Sequence, residues 1–253
     1  MSANDIITRM EAMRDEEQRR HLLRFFKTGV GQYGEGDEFL GLKVPQTRAV
    51  VKDVSHLPLD DVPRLLTNRY HEIRLCGFLI LVSKFEKLAT KRLFDDAVAI
   101  NGRDEIVQMY IDYADYANNW DLVDLSAPKL TGRWLMMPSC IDNKLDIMDN
   151  LAQSSNLWRQ RISMVSTWMT SRLGDPSWCL RYAEMHLHHS HDLMHKAVGW
   201  MLREMGKQCD IDLLREFLGR HAYEMPRTML RYSIEKMSGD EREYWMNQNK
   251  PIC

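Results

Sequence analysis

A chain of 253 residues, 44% hydrophobic and 28% charged, can build a sizeable core and does not have the composition of a disordered protein. A net charge of −2 and a pI near 6.5 argue against a wholly basic nucleic-acid binder, though not against a basic face balanced by acids elsewhere. No apolar run nears the roughly 20 residues that span a bilayer, and the polar stretch Met1 to Arg20 does not read as a signal peptide. Cys76, Cys140, Cys179, Cys209 and Cys253 lie far apart with no CxxC pair, so reduced thiols in a cytoplasmic protein are expected, with no cysteine zinc site.

In chain order, residues 4–28 read as one or two amphipathic helices rich in Arg and Glu. Gly29 to Gly41 carries Gly29, Gly31, Gly34, Gly36 and Gly41 and reads as a loop. It is not a GxGxxG opening a helix, so it gives little support to dinucleotide binding. Only Phe39 to Val44 shows an alternation of period two. From Pro45 onward, prolines and glycines punctuate a succession of helices. A base followed by small or aliphatic residues recurs at Arg74-Leu75-Cys76-Gly77, Arg161-Ile162-Ser163-Met164, Lys196-Ala197-Val198-Gly199 and Arg227-Thr228-Met229-Leu230. Counting the Trp120 segment, the units return every roughly 30 to 45 residues, the range of stacked two-helix repeats. The predicted fold is all-α: an α-solenoid of HEAT-like (armadillo-type) helical repeats, a single domain over 1–253, acting as a monomer. Such a stack offers a curved face for an extended partner.

The segment Asn118-Asn119-Trp120-Asp121-Leu122-Val123-Asp124 predicts a helix capped by Asn118 or Asn119. Leu122, Val123, Ser126 and Leu130 form its buried stripe, which leaves Trp120 and Asp124, one turn apart, on another face. Pro128 either kinks this helix or follows its end at Ala127. Lys129 and Arg133 lie just beyond.

In the helix from Asp192 to Met205, Val198, Met201, Leu202 and Met205 make the buried stripe, and Trp200 points about 150° from it, flanked by Lys196 and Arg203. Either a further helix layer covers that face or the tryptophan meets a ligand. In the helix Leu157 to Arg172, Trp158, Ile162, Val165 and Met169 form the apolar stripe; Arg161 and Arg159 beside it read as snorkelling surface arginines. Arg227 and Arg231 share a face near the C-terminus, with Lys236 beyond, and could contact phosphates. His186, His188, His189, His191 and His195 crowd one segment, but HExxH and other ligand spacings are missing, so no metal is expected. GxSxG and P-loop motifs are missing too.

Five stretches, in order along most of the chain, resemble the AlkD-type DNA alkylation repair glycosylases, a family of HEAT-like repeat proteins. They are Tyr33-Gly34-Glu35-Gly36-Asp37 running into Phe39 to Pro45, Asn119 to Asp124, Trp158-Arg159-Gln160-Arg161, Lys196 to Glu204, and Met225 to Tyr232. The resemblance implies an active site of two tryptophans, an aspartate and an arginine, which fall on Trp120, Trp200, Asp124 and Arg161. The family often shows two adjacent arginines; Gln160 separates them here, and Arg159 is the alternative to Arg161. Tyr33, Lys196, Arg203, Arg227, Arg231 and Arg159 are the implied DNA contacts. The implied substrate is duplex DNA carrying purines alkylated at N3 or N7, with no metal or organic cofactor and no flipping of the lesion into a pocket.

The residue types suit that chemistry. An N3- or N7-alkylated purine is cationic, and its departure builds positive charge on the sugar, as in glycoside hydrolysis. A carboxylate stabilises that charge and positions water. A tryptophan face attracts a cation by about 0.5–2 kcal/mol, and an arginine holds a phosphate. Two other readings are a non-catalytic repeat protein that binds DNA and a scaffold that binds other proteins.

Overall fold

The computed structural model describes residues 1–248, so Cys253 lies outside the described residues. Among the described residues the chain is helical, and its sole extended pairing is an isolated parallel bridge between Glu38 and Tyr70. The alternation over Phe39 to Val44 therefore makes no strand. Phe39, Leu40 and Leu42 are buried, and the Glu72 carboxylate accepts hydrogen bonds from the backbone N–H groups of Leu40, Gly41 and Leu42 at 2.8–3.1 Å. A side chain thus supplies the partners that a neighbouring strand would have provided.

The chain packs as two compact units, one of residues Met1–Leu130 with Met137–Asp142, the other of Thr131–Met136 with the chain from Asn143 on. In the first unit, α1 (Ala3–Ala12) opens on a Ser2/Asp5 capping box and α2 (Glu16–Phe25) on an Asp15 cap. Next come α3 (Val44–Val54), α4 (Pro63–Leu66), α5 (His71–Leu88), α6 (Ala97–Asp112) and α7 (Trp120–Ser126). Helix α5 is the axis: its residues from His71 to Val82 are all buried, so it shows no amphipathic stripe. It packs against α3 and α7 in one row and against α4 and α6 in another. Arg103 of α6 is fully buried and donates to the carbonyls of Leu88, Leu93 and Phe94, closing the C-terminal end of α5.

In the second unit, α8 (Arg133–Leu135) and α9 (Lys144–Ala152) pack on α10 (Leu157–Arg172), followed by α11 (Ser177–Met185), α12 (Asp192–Gln208), α13 (Ile211–His221), α14 (Arg227–Ser233) and α15 (Gly239–Met246). Helices α10, α12 and α14 succeed one another in a row, with α11 and α13 packed on them. This skipping of alternate helices within each unit is the HEAT-like stacking of an α-solenoid. The recurring bases occupy the early turns of the row helices: Arg74 in α5, Arg161 in α10, Lys196 in α12 and Arg227 in α14. Gly199 explains one of the small residues that follow them. A Cβ there would stand 2.4 Å from the Met229 carbonyl oxygen, so only glycine lets α12 and α14 approach this closely.

Between Ser126 and Arg133 the helix neither stops nor simply kinks. It passes through a π-helical turn, Pro128–Gly132, which absorbs the missing proline donor by widening the ladder. No helix among the described residues is long and apolar enough to cross a membrane.

Candidate functional site

Asn119 caps α7, its side-chain oxygen accepting from the Trp120 N–H at 2.8 Å, so Trp120 is the first helical residue. Leu122, Val123 and Ser126 turn into the core, as their spacing predicts. Trp120 and Asp124 are half-buried rather than solvent-facing: both line a cavity of about 420 Å³ within the first unit. Its other walls are mostly apolar, with Phe25, Phe26, Phe39, Pro45 and Leu75 prominent, and Lys43, His71, Glu72 and Asp121 also line it. The Trp120 ring meets Phe25 edge-on at 5.8 Å and Phe26 at 5.4 Å. Its Nε1–H donates to the Tyr33 hydroxyl at 3.2 Å, and that hydroxyl faces the Phe25 carbonyl at 3.4 Å. Tyr33 rides on the glycine loop, where Gly31 and Gly36 take positive φ values of 74° and 80°. Phe25, against Trp120, stays open to solvent at 61% exposure, as does Val30 of the glycine loop at 94%.

Behind this wall sits a buried charge cluster that the sequence reading did not single out. His71, the first residue of α5, is 2% exposed and lies between two carboxylates, Nδ1 at 2.9 Å from Asp37 Oδ2 and Nε2 at 2.9 Å from Asp121 Oδ2. Its ring stacks on Phe39 at 4.6 Å. Arg74 donates to Asp37 Oδ1 at 2.5 Å and to Asn118 Oδ1 at 2.9 Å. Burial alone would strip the His71 charge, but Asp121 and Asp37 outweigh it and raise the imidazole to about 9. Burial likewise opposes ionisation of Asp37, yet His71 and Arg74 hold its carboxyl below the usual range. Asp121 is 7% exposed; its Oδ1 is buried with no hydrogen-bond partner, and the residue also lines the cavity. Asp37 and Asp121 both lie in stretches that carry the family resemblance, but charges paired across 34 and 50 residues leave no periodic trace.

In the second unit, Arg161 is not a snorkelling surface arginine. It is buried, because α10 packs on most of its sides, and it donates to the Leu193 carbonyl at 2.7 Å. Arg159 is half-buried. On α12 the predicted stripe is buried and Trp200, Lys196 and Arg203 are half-buried. Lys196 pairs with Asp192 at 2.7 Å, and Arg203 is held by Glu204 and Glu235. Arg227 and Arg231 are exposed, and Arg227 donates to the Met246 carbonyl.

The histidine cluster supports the turn into α12. His191 Nδ1 caps the helix at the Leu193 N–H, His189 accepts from the His191 N–H and meets Gln160 at 2.8 Å, and His195 bonds the His189 carbonyl. Among the described residues, no group of three or more His, Cys, Asp or Glu is placed to hold a metal ion.

A family model described as DNA alkylation repair enzyme matches residues 6–237, and the chain belongs to that family. A solved structure from Enterococcus faecalis, described as a predicted DNA alkylation repair enzyme, superposes with a TM-score of 0.65 at 14% identity, covering 89% of this chain and 97% of that one. No curated protein matches the chain. The protein is thus an enzyme of the DNA alkylation repair class, and the superposition supports the all-α repeat fold.

Proposed function

We propose that the protein is a DNA glycosylase that releases cationic N3- and N7-alkylated purines, 3-methyladenine and 7-methylguanine among them, from duplex DNA. The observation that carries this reading is the pairing of Trp120 with Asp124 on one aromatic cavity wall. A cationic base and a sugar gaining positive charge are both stabilised by a carboxylate beside π-faces in a poorly hydrated setting. Asp124 is the catalytic carboxylate, positioning water and countering charge on the sugar. Trp120 and Trp200 present ring faces to the cationic nucleotide, and Arg161 holds a backbone phosphate. Because the alkylated base leaves without protonation, the reaction asks for no general acid and no cofactor. Tyr33, Lys196, Arg159, Arg227 and Arg231 contact the duplex; Arg203 joins them only by leaving Glu204 and Glu235. The enzyme acts as a cytoplasmic monomer.

The test is release of 7-methylguanine and 3-methyladenine from methylated duplex DNA by wild type and by Asp124→Asn. Release that the variant largely loses supports the reading. No release, with salt-dependent DNA binding intact, leaves a non-catalytic DNA-binding repeat protein. Neither release nor binding leaves a scaffold for other proteins, the reading that the near-neutral pI favours.

A further inference from the structure

The His71 cluster fixes more than the core. A neutral imidazole carries one N–H, yet His71 faces a carboxylate oxygen at 2.9 Å from each ring nitrogen. Only the doubly protonated ring donates to both; a neutral ring would set a lone pair against a carboxylate. With Arg74 the cluster holds two positive and two negative charges, each bonded to an opposite one. The two carboxylates come from two separate segments beside the cavity, the glycine loop and the first turn of α7. Asp37 lies in the glycine loop that carries Tyr33, and Asp121 follows Trp120 and precedes Asp124 by one turn. Asn118 and Asn119, at the cap of α7, reach the same cluster through Arg74 and Asp37.

We infer that His71 is a positioning residue for this site: as an imidazolium between Asp37 and Asp121, it locks the first turn of α7 to the glycine loop and so holds Trp120 and Asp124 in the cavity wall. The catalytic part of this inference rests on the glycosylase reading above; the positional part does not. The other charged groups near the ring are accounted for. Glu72, beside it on α5, is engaged by the Leu40, Gly41 and Leu42 N–H groups, while Asp124 and Lys43 lie on the cavity wall. The ring's raised proton affinity, near 9, keeps the bridge intact across neutral pH.

Full-length wild type, His71→Gln and Asp121→Asn serve as the test, with three readouts. Nitrogen-15 NMR of the histidine rings reports whether both His71 nitrogens carry protons at pH 7.5. The Trp120 indole N–H resonance, assigned with Trp120→Phe, reports its bond to Tyr33. Single-turnover release of 7-methylguanine is set against affinity for undamaged duplex. The expected result is a doubly protonated His71 in wild type and a displaced Trp120 resonance in both variants. Release should slow by about 10- to 100-fold, the scale of an ångström-sized misplacement, with duplex affinity within about twofold. The loss in wild type as His71 deprotonates should shift to lower pH in Asp121→Asn, which a merely structural role would not produce.

A singly protonated ring in wild type, or an unmoved Trp120 resonance in a folded variant, overturns the inference. If His71→Gln fails to fold, Asp121→Asn decides, because it removes the charge of the link to α7 and leaves Asp37 in place. If wild type releases no alkylated purine but the Trp120 resonance moves in the variants, the positioning stands and the glycosylase reading falls.

Discussion

Trp120 and Tyr33, 87 residues apart in sequence, are joined by a hydrogen bond from indole Nε1–H to hydroxyl at 3.2 Å. That bond ties the start of α7 to the glycine-rich loop beside a second tie, the one Asp37 makes to His71. Tyr33→Phe keeps the ring and deletes the acceptor, leaving a half-buried donor. Its expected cost is about 0.5–1.5 kcal/mol in urea denaturation, with a several-fold slower release of alkylated purine if the loop then drifts.

The close approach of α12 to α14 makes Gly199 intolerant of any side chain. In Gly199→Ala the new methyl would meet the Met229 carbonyl and the Tyr232 Cβ at 2.4 and 2.5 Å, and backbone must move. The variant should lose about 1–3 kcal/mol of stability by urea titration, despite alanine's better helix propensity. Equal or higher stability would mean that the two helices can part without cost.

Two histidines bias the pH dependence of stability in opposite directions. Burial, aided by His189, lowers His186 to about 4, so its contribution is complete above the unfolded value near 6.5 and is lost as pH falls through 4. At His71 the raised value of about 9 means a contribution complete below 6.5 and lost as pH rises through 9. Burial lowers His189 and His191 as well, which steepens the acid side. Urea midpoints across pH should peak near the unfolded value, and His71→Gln should flatten only the alkaline side.

Much of this was legible in the sequence. Repeat spacing indicated helical stacking, the α12 stripe is buried as its period requires, and Asn119 starts α7 as a capping residue should. Periodicity failed where helices are covered on several sides. Helices α5 and α10 carry polar and charged residues into the interior, so Arg161 looks like a surface arginine and His71 like nothing in particular. Their burial is set by partners distant in the chain, Leu193 for Arg161 and Asp37 with Asp121 for His71. The Phe39 to Val44 alternation misled for a related reason. Its residues Phe39 to Leu42 are buried one after another in a loop whose backbone is satisfied by Glu72.

Arg231 and Arg203 separate a proposed phosphate contact from an internal pair. Arg231 is exposed, whereas Arg203 is held by Glu204 and Glu235. Measured as log affinity for duplex against log salt, Arg231→Ala should reduce the slope by about one. Arg203→Ala should leave the slope nearly unchanged and show its effect in stability instead.

The pairing of Lys196 with Asp192, and of Arg203 with its two glutamates, also bears on how such an enzyme travels along a genome. These cations bring their own counterions covalently attached. A phosphate that claims one must evict a carboxylate, so the swap frees fewer small ions than a bare lysine would and gains correspondingly less. On the proposed reading, intact duplex would then be gripped loosely and abandoned quickly. A repair enzyme with rare targets profits from short visits, and a near-zero net charge suits that brevity.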